Sequence, residues 1–283
     1  MEKIIDTHIH VWNFNHAVYE WLEGNATLLN RTYDIEEIAA PREAAGISAG
    51  VLVQATNHVE DTDWMLHVAA TTPWIQGVVG WLPLTDPEAT EKLLSETYLS
   101  NPYYKGVRHL IHDESDPRWL LQDTVIESLN VLAKHGLTYD VVGVLPEHIK
   151  TVLEVAGRVP DLKMVFDHLN QPPIARGERF GEWGVLMKEA AKNPHFYAKI
   201  SGLGLTAGKG YDWTAEDLRP YIEFALEHFG TGRCFCGGDW PVALLAGSYL
   251  HTWEVYRELL TSLLSREDRQ KVFSGNAELF YRL

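Results

Sequence analysis

The sequence predicts an α/β fold, a (β/α)8 TIM barrel formed by a single domain over residues 1–283, with an extra helix at the C-terminal end. Three observations predict it. Short apolar, β-branched runs alternate with longer helical patterns about every 30 residues, which is the mark of a parallel sheet. Eight such units follow one another with no linker rich in Pro, Gly or Ser, and eight units of this size match a closed barrel. The first run ends in histidines, where an open doubly wound sheet would carry a glycine-rich phosphate turn.

The elements follow in order. Strands are expected at Ile4–His10, Gly50–Gln54, Gly77–Leu82, Gly106–Leu110, Thr138–Val142, Lys163–His168, Phe196–Ser201 and Cys234–Asp239. A helix over Ile35–Ala40 follows Asp34, whose side chain can cap the free N–H groups. Asp61–Ala70 repeats its apolar residues at helical spacing. Pro87–Leu94 follows Asp86 and places proline in the first turn, where no N–H partner is lost. Pro117–Lys134, Pro146–Ala156, Phe180–Lys192, Ala215–His228 and Tyr249–Leu264 complete the eight, and Arg266–Leu279 is the additional helix.

Composition excludes several functions. A net charge of −15 repels nucleic-acid phosphates and anionic lipid heads, so neither is an expected partner. No apolar run reaches the length of a bilayer span. The chain enters its first strand directly after Met1, with no signal-peptide pattern, so the cytoplasm is the expected location. Cys234 and Cys236 lie two residues apart on one strand face, which suits buried reduced thiols better than a disulfide. A small-molecule substrate is the expected partner, and a homo-oligomer is open.

Three segments carry chemistry. In Asp6-Thr7-His8-Ile9-His10, alternation sends His8 and His10 to one side of the first strand. At a barrel mouth two imidazoles can bind a divalent metal or polarise a carbonyl. Asp6 is expected on that same side, one layer deeper. His168 closes the sixth strand in Phe166-Asp167-His168-Leu169-Asn170, and Asp239 follows Gly237-Gly238 at the end of the eighth. These strand ends converge at a barrel mouth, so His8, His10, His168 and Asp239 form the expected site. Arg108 either holds a substrate oxygen bidentately or makes a salt bridge under the loops, and His109 could position the leaving oxygen. Trp12, Trp81 and Trp240 follow strand ends and could line the pocket. Lys199, unusual in a strand, could snorkel, pair with a buried acid or enter the site. His112, His58, His16 and Trp21 lie further out in loops. No GxSxG elbow or P-loop is present, which disfavours a serine esterase.

DTHIH, GVRH, FDHLNQPP, YAKISGL and GGDWP, in this order, resemble the amidohydrolase superfamily, and most of all its amidohydrolase-2 branch of sugar-lactone and pyrone-dicarboxylate lactonases. The resemblance covers nearly the whole chain. It implies hydrolysis of a small lactone, a place in carbohydrate metabolism, and roles for His8, His10, His168 and Asp239. Many members carry a bridging lysine at the end of strand four and a histidine at the end of strand five. Here Lys105-Gly106-Val107-Arg108-His109 and Leu137-Thr138-Tyr139-Asp140-Val141 carry neither. The expectation is therefore one divalent metal, zinc foremost, on His8, His10, His168 and Asp239, or none. Asp239 is expected to act as general base on water. The alternatives are a decarboxylase on the same barrel and a binding barrel without turnover.

Overall fold

The structure is a computed structural model and describes residues 2–283. All eight expected strands form: β1 (Ile5–Ile9), β2 (Ala49–Val53), β3 (Ile75–Gly80), β4 (Tyr104–His109), β5 (Thr138–Val141), β6 (Met164–Phe166), β7 (Phe196–Ile200) and β8 (Cys234–Cys236). They pair in parallel in sequence order. The barrel closes between β1 and β8. Ile9 bridges Trp240, the His10 N–H donates to the Trp240 carbonyl at 2.7 Å, and the Asp239 N–H to the His8 carbonyl at 2.8 Å.

The outer helices follow the expected pattern with shifted ends. Val59–Thr71, Pro87–Leu93, Pro146–Arg158, Gly181–Ala190, Ala215–Phe229 and Tyr249–Leu263 lie close to their expected ranges. The Asp86 side chain accepts from the Ala89 N–H, and the Ser248 side chain from the His251 N–H, so both helices start where a cap is available. Three expectations need correcting. The first helix begins as a 3-10 turn at Ile35–Ile38 and becomes α only at Ala39–Ala44. The fourth begins at Asp123, behind a separate 3-10 turn at Trp119–Leu121. The C-terminal helix is broken into Arg266–Gln270, a wider π turn at Lys271–Gly275, and Asn276–Tyr281.

That break matters for the barrel. Ala277, Phe280 and Tyr281 pack with Ile5, Val51, Val79, Val165 and Phe235 in one buried apolar cluster, separate from the large core between sheet and helices. The C-terminal turn thus plugs the inside of the barrel. Cys234 and Cys236 are free and fully buried, as their spacing suggested, and burial pushes the Cys234 thiol up to about 12. Among the described residues no helix is long and apolar enough to cross a membrane.

Candidate active site

The mouth of the barrel opens into a cavity of about 380 Å³. Its walls include His10, Trp12, Arg108, His168 and Asp239. The three expected strand ends do meet there. Asp239 Oδ1 lies 3.5 Å from His10 Nε2 and 3.7 Å from His8 Nε2. The His8 ring is centred 4.8 Å from that of His10 and 4.6 Å from that of His168.

Local structure aims each group. The expected strand through His168 stops at Phe166, because His168, Leu169, Asn170 and Gln171 all have φ between +50° and +54°. Such backbone costs a side chain of this kind about 1–2 kcal/mol per residue, so surrounding bonds must hold it. Trp183 Nε1–H donates to the Leu169 carbonyl at 2.7 Å, and the His168 N–H to Ser201 Oγ at 3.2 Å. The turn presents both His168 and Gln171 to the cavity. The β8 strand likewise ends early, at Cys236. Asp239 takes φ +57°, turning its carboxylate onto the histidines. Gly202 is glycine for two reasons: its φ is +61°, and a Cβ there would sit 2.6 Å from His168 Nδ1 and 3.0 Å from Asp239 Oδ2.

Hydrogen bonds settle the proton on His10. Its Nδ1 lies 2.7 Å from the Val53 carbonyl, which can only accept. Nδ1 therefore carries the hydrogen, and Nε2 turns a lone pair toward Asp239. His8 is fully buried, and burial holds its pKa well below the usual histidine value. Burial lowers His10 too. For Asp239 burial acts upward, but His168, His10 and His8 outweigh it and hold the carboxyl at about 2. It is an anion throughout the neutral range.

Beneath these groups lies a layer of buried charges. Arg108 Nη1 donates to Asp167 Oδ2 at 3.2 Å and also lies 3.3 Å from His8 Nε2. Its Nε donates to Gln54 Oε1 at 3.1 Å, and its Nη2 to the Gln54 carbonyl. Of the two roles expected for Arg108, the salt bridge is present, while the same side chain still lines the cavity. Lys199 pairs with buried acids, one of its three expected options, at 2.6 Å from Asp140 Oδ2 and 2.8 Å from Asp167 Oδ1.

Other candidates lie elsewhere. Asp6 is not below His8. A register shift between Asp6 and Ile9 turns it to the helix side, where it accepts from the Gly238 N–H at 2.7 Å and the Tyr249 hydroxyl at 2.7 Å. His109 is the outward neighbour of Arg108 on β4. Its Nδ1 accepts from Trp81 Nε1–H at 3.0 Å, its Nε2–H donates to Glu114 Oε1 at 2.7 Å, and its ring stacks on Trp119. Strand alternation thus takes His109 and Trp81 off the cavity wall. Trp240 is buried against Tyr33 and does not line the cavity either. His58 pairs with Glu20, and His16 stacks on Trp64. Trp12, Trp21 and His112 do reach the wall. Asp113 and Gln171 were missed, since each sits in a loop with no periodicity to direct it.

The donor set can be tested against a metal. Among the described residues two groups bring ligand atoms within 4.8 Å of one another: His8, His10 and Asp239, and His8, Asp167 and His168. The expected set of four is thus split, with His168 in the second group. The first group fits one divalent ion. Asp239 is anionic, and the His10 lone pair is aimed by a bond from its other nitrogen, the usual support for a metal-binding histidine.

Comparison with known proteins agrees with this geometry. Residues 5–283 match the family model described as Amidohydrolase. An L-fucono-1,5-lactonase of Burkholderia ambifaria is 32% identical over 283 residues, covering 99% of this chain and 95% of that protein. A second L-fucono-1,5-lactonase, of Burkholderia multivorans, is 30% identical over 287 residues, covering 99% and 96%. A solved amidohydrolase of Burkholderia multivorans with bound zinc superimposes with a TM-score of 0.91 at 29% identity, covering 99% of each chain.

Proposed function

Because the chain belongs to the amidohydrolase family, we propose that it hydrolyses a neutral sugar-acid lactone. The observation that carries this reading is Asp239. It is an ionised carboxylate packed against His8 and His10 at the wall of an open cavity. A water beside it can lose its proton to Oδ1 while the oxygen attacks the lactone carbonyl. The ring C–O bond then breaks, and the proton passes from Asp239 to the departing ring oxygen. The product is the open hydroxy acid.

The walls favour a neutral ring. Trp21, backed by the buried Trp12, offers an aromatic face and Leu110, Val142, Leu205 and Val242 an apolar surface, while Asp113 can accept from sugar hydroxyls. Among the described residues Arg108 is the one arginine or lysine on the wall, and it is already tied to Asp167 and Gln54. A dicarboxylate would lack paired cations there and would meet Asp113 and Asp239 as like charges. We assign His8, His10 and Asp239 as the residues that would hold one divalent ion, zinc by their ligand types. Such an ion would supply Lewis-acid polarisation of the carbonyl.

The test is a panel of sugar-acid lactones, a pyrone dicarboxylate and hydroxylated aromatic acids. Proton release is followed by an indicator dye and carbon dioxide is measured separately. Acid release from the neutral lactones is expected. Carbon dioxide release from the aromatic acids would establish the decarboxylase alternative, and no turnover on any compound would leave a binding barrel.

A further inference from the structure

Lys199 has no contact with solvent. It stands on β7, faces the barrel interior and is fully buried. Removing an ammonium from water costs several kcal/mol unless surrounding groups replace its hydration. Here three acceptors from three separate segments, β1, β5 and the turn after β6, do so. Nζ lies 2.6 Å from Asp140 Oδ2, 2.8 Å from Asp167 Oδ1 and 3.3 Å from His8 Nδ1. Nζ donates to Asp140 Oδ2 and to His8 Nδ1, while Asp167 Oδ1 is held by charge alone.

Two of these acceptors, His8 and Asp167, belong to the second group able to hold a metal. The two groups share His8, whose nitrogens face different acids: Nε2 is 3.7 Å from Asp239 Oδ1 and Nδ1 is 3.6 Å from Asp167 Oδ1. Lys199 Nζ stands on the Nδ1 side, within reach of both His8 and Asp167. On the Nε2 side the neighbour is Arg108 Nη1 at 3.3 Å, which also can only donate. A neutral imidazole has one hydrogen and one lone pair, so His8 can accept at one nitrogen at a time, and an ion in each group would require His8 to release that hydrogen to solvent.

We propose that Lys199 is a built-in cation of the site, which competes with divalent ions for His8 and Asp167 and lowers by one the number of ions the chain can hold. Lys199 is thus a positioning residue. It acts through His8 and touches no reacting atom. Two carboxylates, Asp140 and Asp167, balance one ammonium and one guanidinium, Lys199 and Arg108, so the buried layer is neutral without any metal. Removing the ammonium leaves an excess anion beside a vacated seat, which is a setting that recruits a cation.

The experiment is a metal count, independent of turnover. Full-length protein and Lys199→Ala are stripped with a chelator, equilibrated with excess Co²⁺ and desalted. Bound cobalt per chain is then measured by elemental analysis and by its visible absorption. The variant should hold one equivalent more than the unaltered protein, whether that protein starts from none or from one. Co²⁺ should also raise the melting temperature of the variant more than that of the unaltered protein. Lys199→Ala/Asp140→Asn removes one charge of each sign, keeps the layer balanced and carries the test if the single variant does not fold. It too should gain an equivalent, on His8 and Asp167. A folded variant holding no more cobalt than the unaltered protein overturns the proposal. A lactonase reading that fails on the substrate panel leaves this count unaffected.

Discussion

The two ends of the barrel interior are filled by opposite chemistry. At one end Ile5, Val51, Val79 and Phe235 meet Phe280 of the C-terminal turn in a wholly apolar plug. At the other, Arg108, Asp140, Asp167, Lys199 and His8 form a buried polar layer, with His10 and Asp239 above it. On β7 the inward neighbours Tyr197 and Lys199 are two residues apart, and they belong to different ends. The apolar end gains stability from surface removed from water. The polar end gains little net stability from its ion pairs but holds imidazole and carboxylate groups in fixed orientations. Substitutions should therefore separate: those at the plug should act on stability, and those at the mouth on rate.

The largest effect is expected at the mouth. Asp239→Asn keeps the shape and removes the basic oxygen, so kcat should fall by about 10²–10⁴-fold, with the melting curve retained. Metal content is measured alongside, because the same carboxylate is a candidate ligand. Full activity in the folded variant would remove Asp239 from the mechanism.

Phe280→Ala is the opposite experiment. It empties a fully buried position in the plug and should cost about 3–5 kcal/mol of stability, read from denaturant unfolding. The kcat of the remaining folded protein should change less than threefold. A large loss of kcat in folded protein would show that the two ends are not separable.

Arg108→Lys tests the boundary. A lysine keeps the charge and cannot reach both Gln54 and Asp167 with a planar fork. The bonds lost are of a kind worth about 1.5–3 kcal/mol each, so kcat/KM should drop by roughly tenfold or more. Unchanged kinetics would leave Arg108 a purely structural ion pair.

Tyr281 joins the two ends. It packs in the plug, and its hydroxyl donates to Asp140 Oδ2 at 2.6 Å. Tyr281→Phe keeps the ring and should cost about 1.5–3 kcal/mol, the worth of a hydrogen bond to a charged group, with Lys199 still donating to Asp140 Oδ2. Its effect on kcat should lie between those of Phe280→Ala and Asp239→Asn.

The smallest effect is one of pH. Burial raises the Asp6 carboxyl to about 7 from an ordinary 3.8. The folded protein therefore holds a proton that the unfolded chain releases. The stability this contributes is complete below about pH 4 and is lost as pH rises through about 7. Asp6→Asn still accepts from the His8 and Gly238 N–H groups but cannot ionise. Its melting temperature should decline less than that of the unaltered protein between pH 5 and 8. Parallel curves would show that Asp6 does not titrate in this range.

By itself the sequence determined the repeat of eight strands and helices, because hydrophobic periodicity is local and survives any change of partner. It also determined that His8, His10, His168 and Asp239 stand near strand ends, since a parallel barrel brings those ends to one mouth. Where periodicity breaks, local pattern no longer fixes which way a side chain points. Asp6 was placed on the wrong side because one register shift reverses every inward and outward assignment before it. His109 and Trp81 leave the cavity wall because alternation along β4 and at the end of β3 turns them outward. Only the tertiary structure decided that Lys199, Asp140 and Asp167 share one buried cluster, that four successive left-handed residues lift His168 to the wall, and that Tyr281 reaches Asp140 from below. These are contacts between residues as far apart as 141 positions. Charge balance in a buried layer depends on which strands become neighbours, and no local pattern in the chain records that.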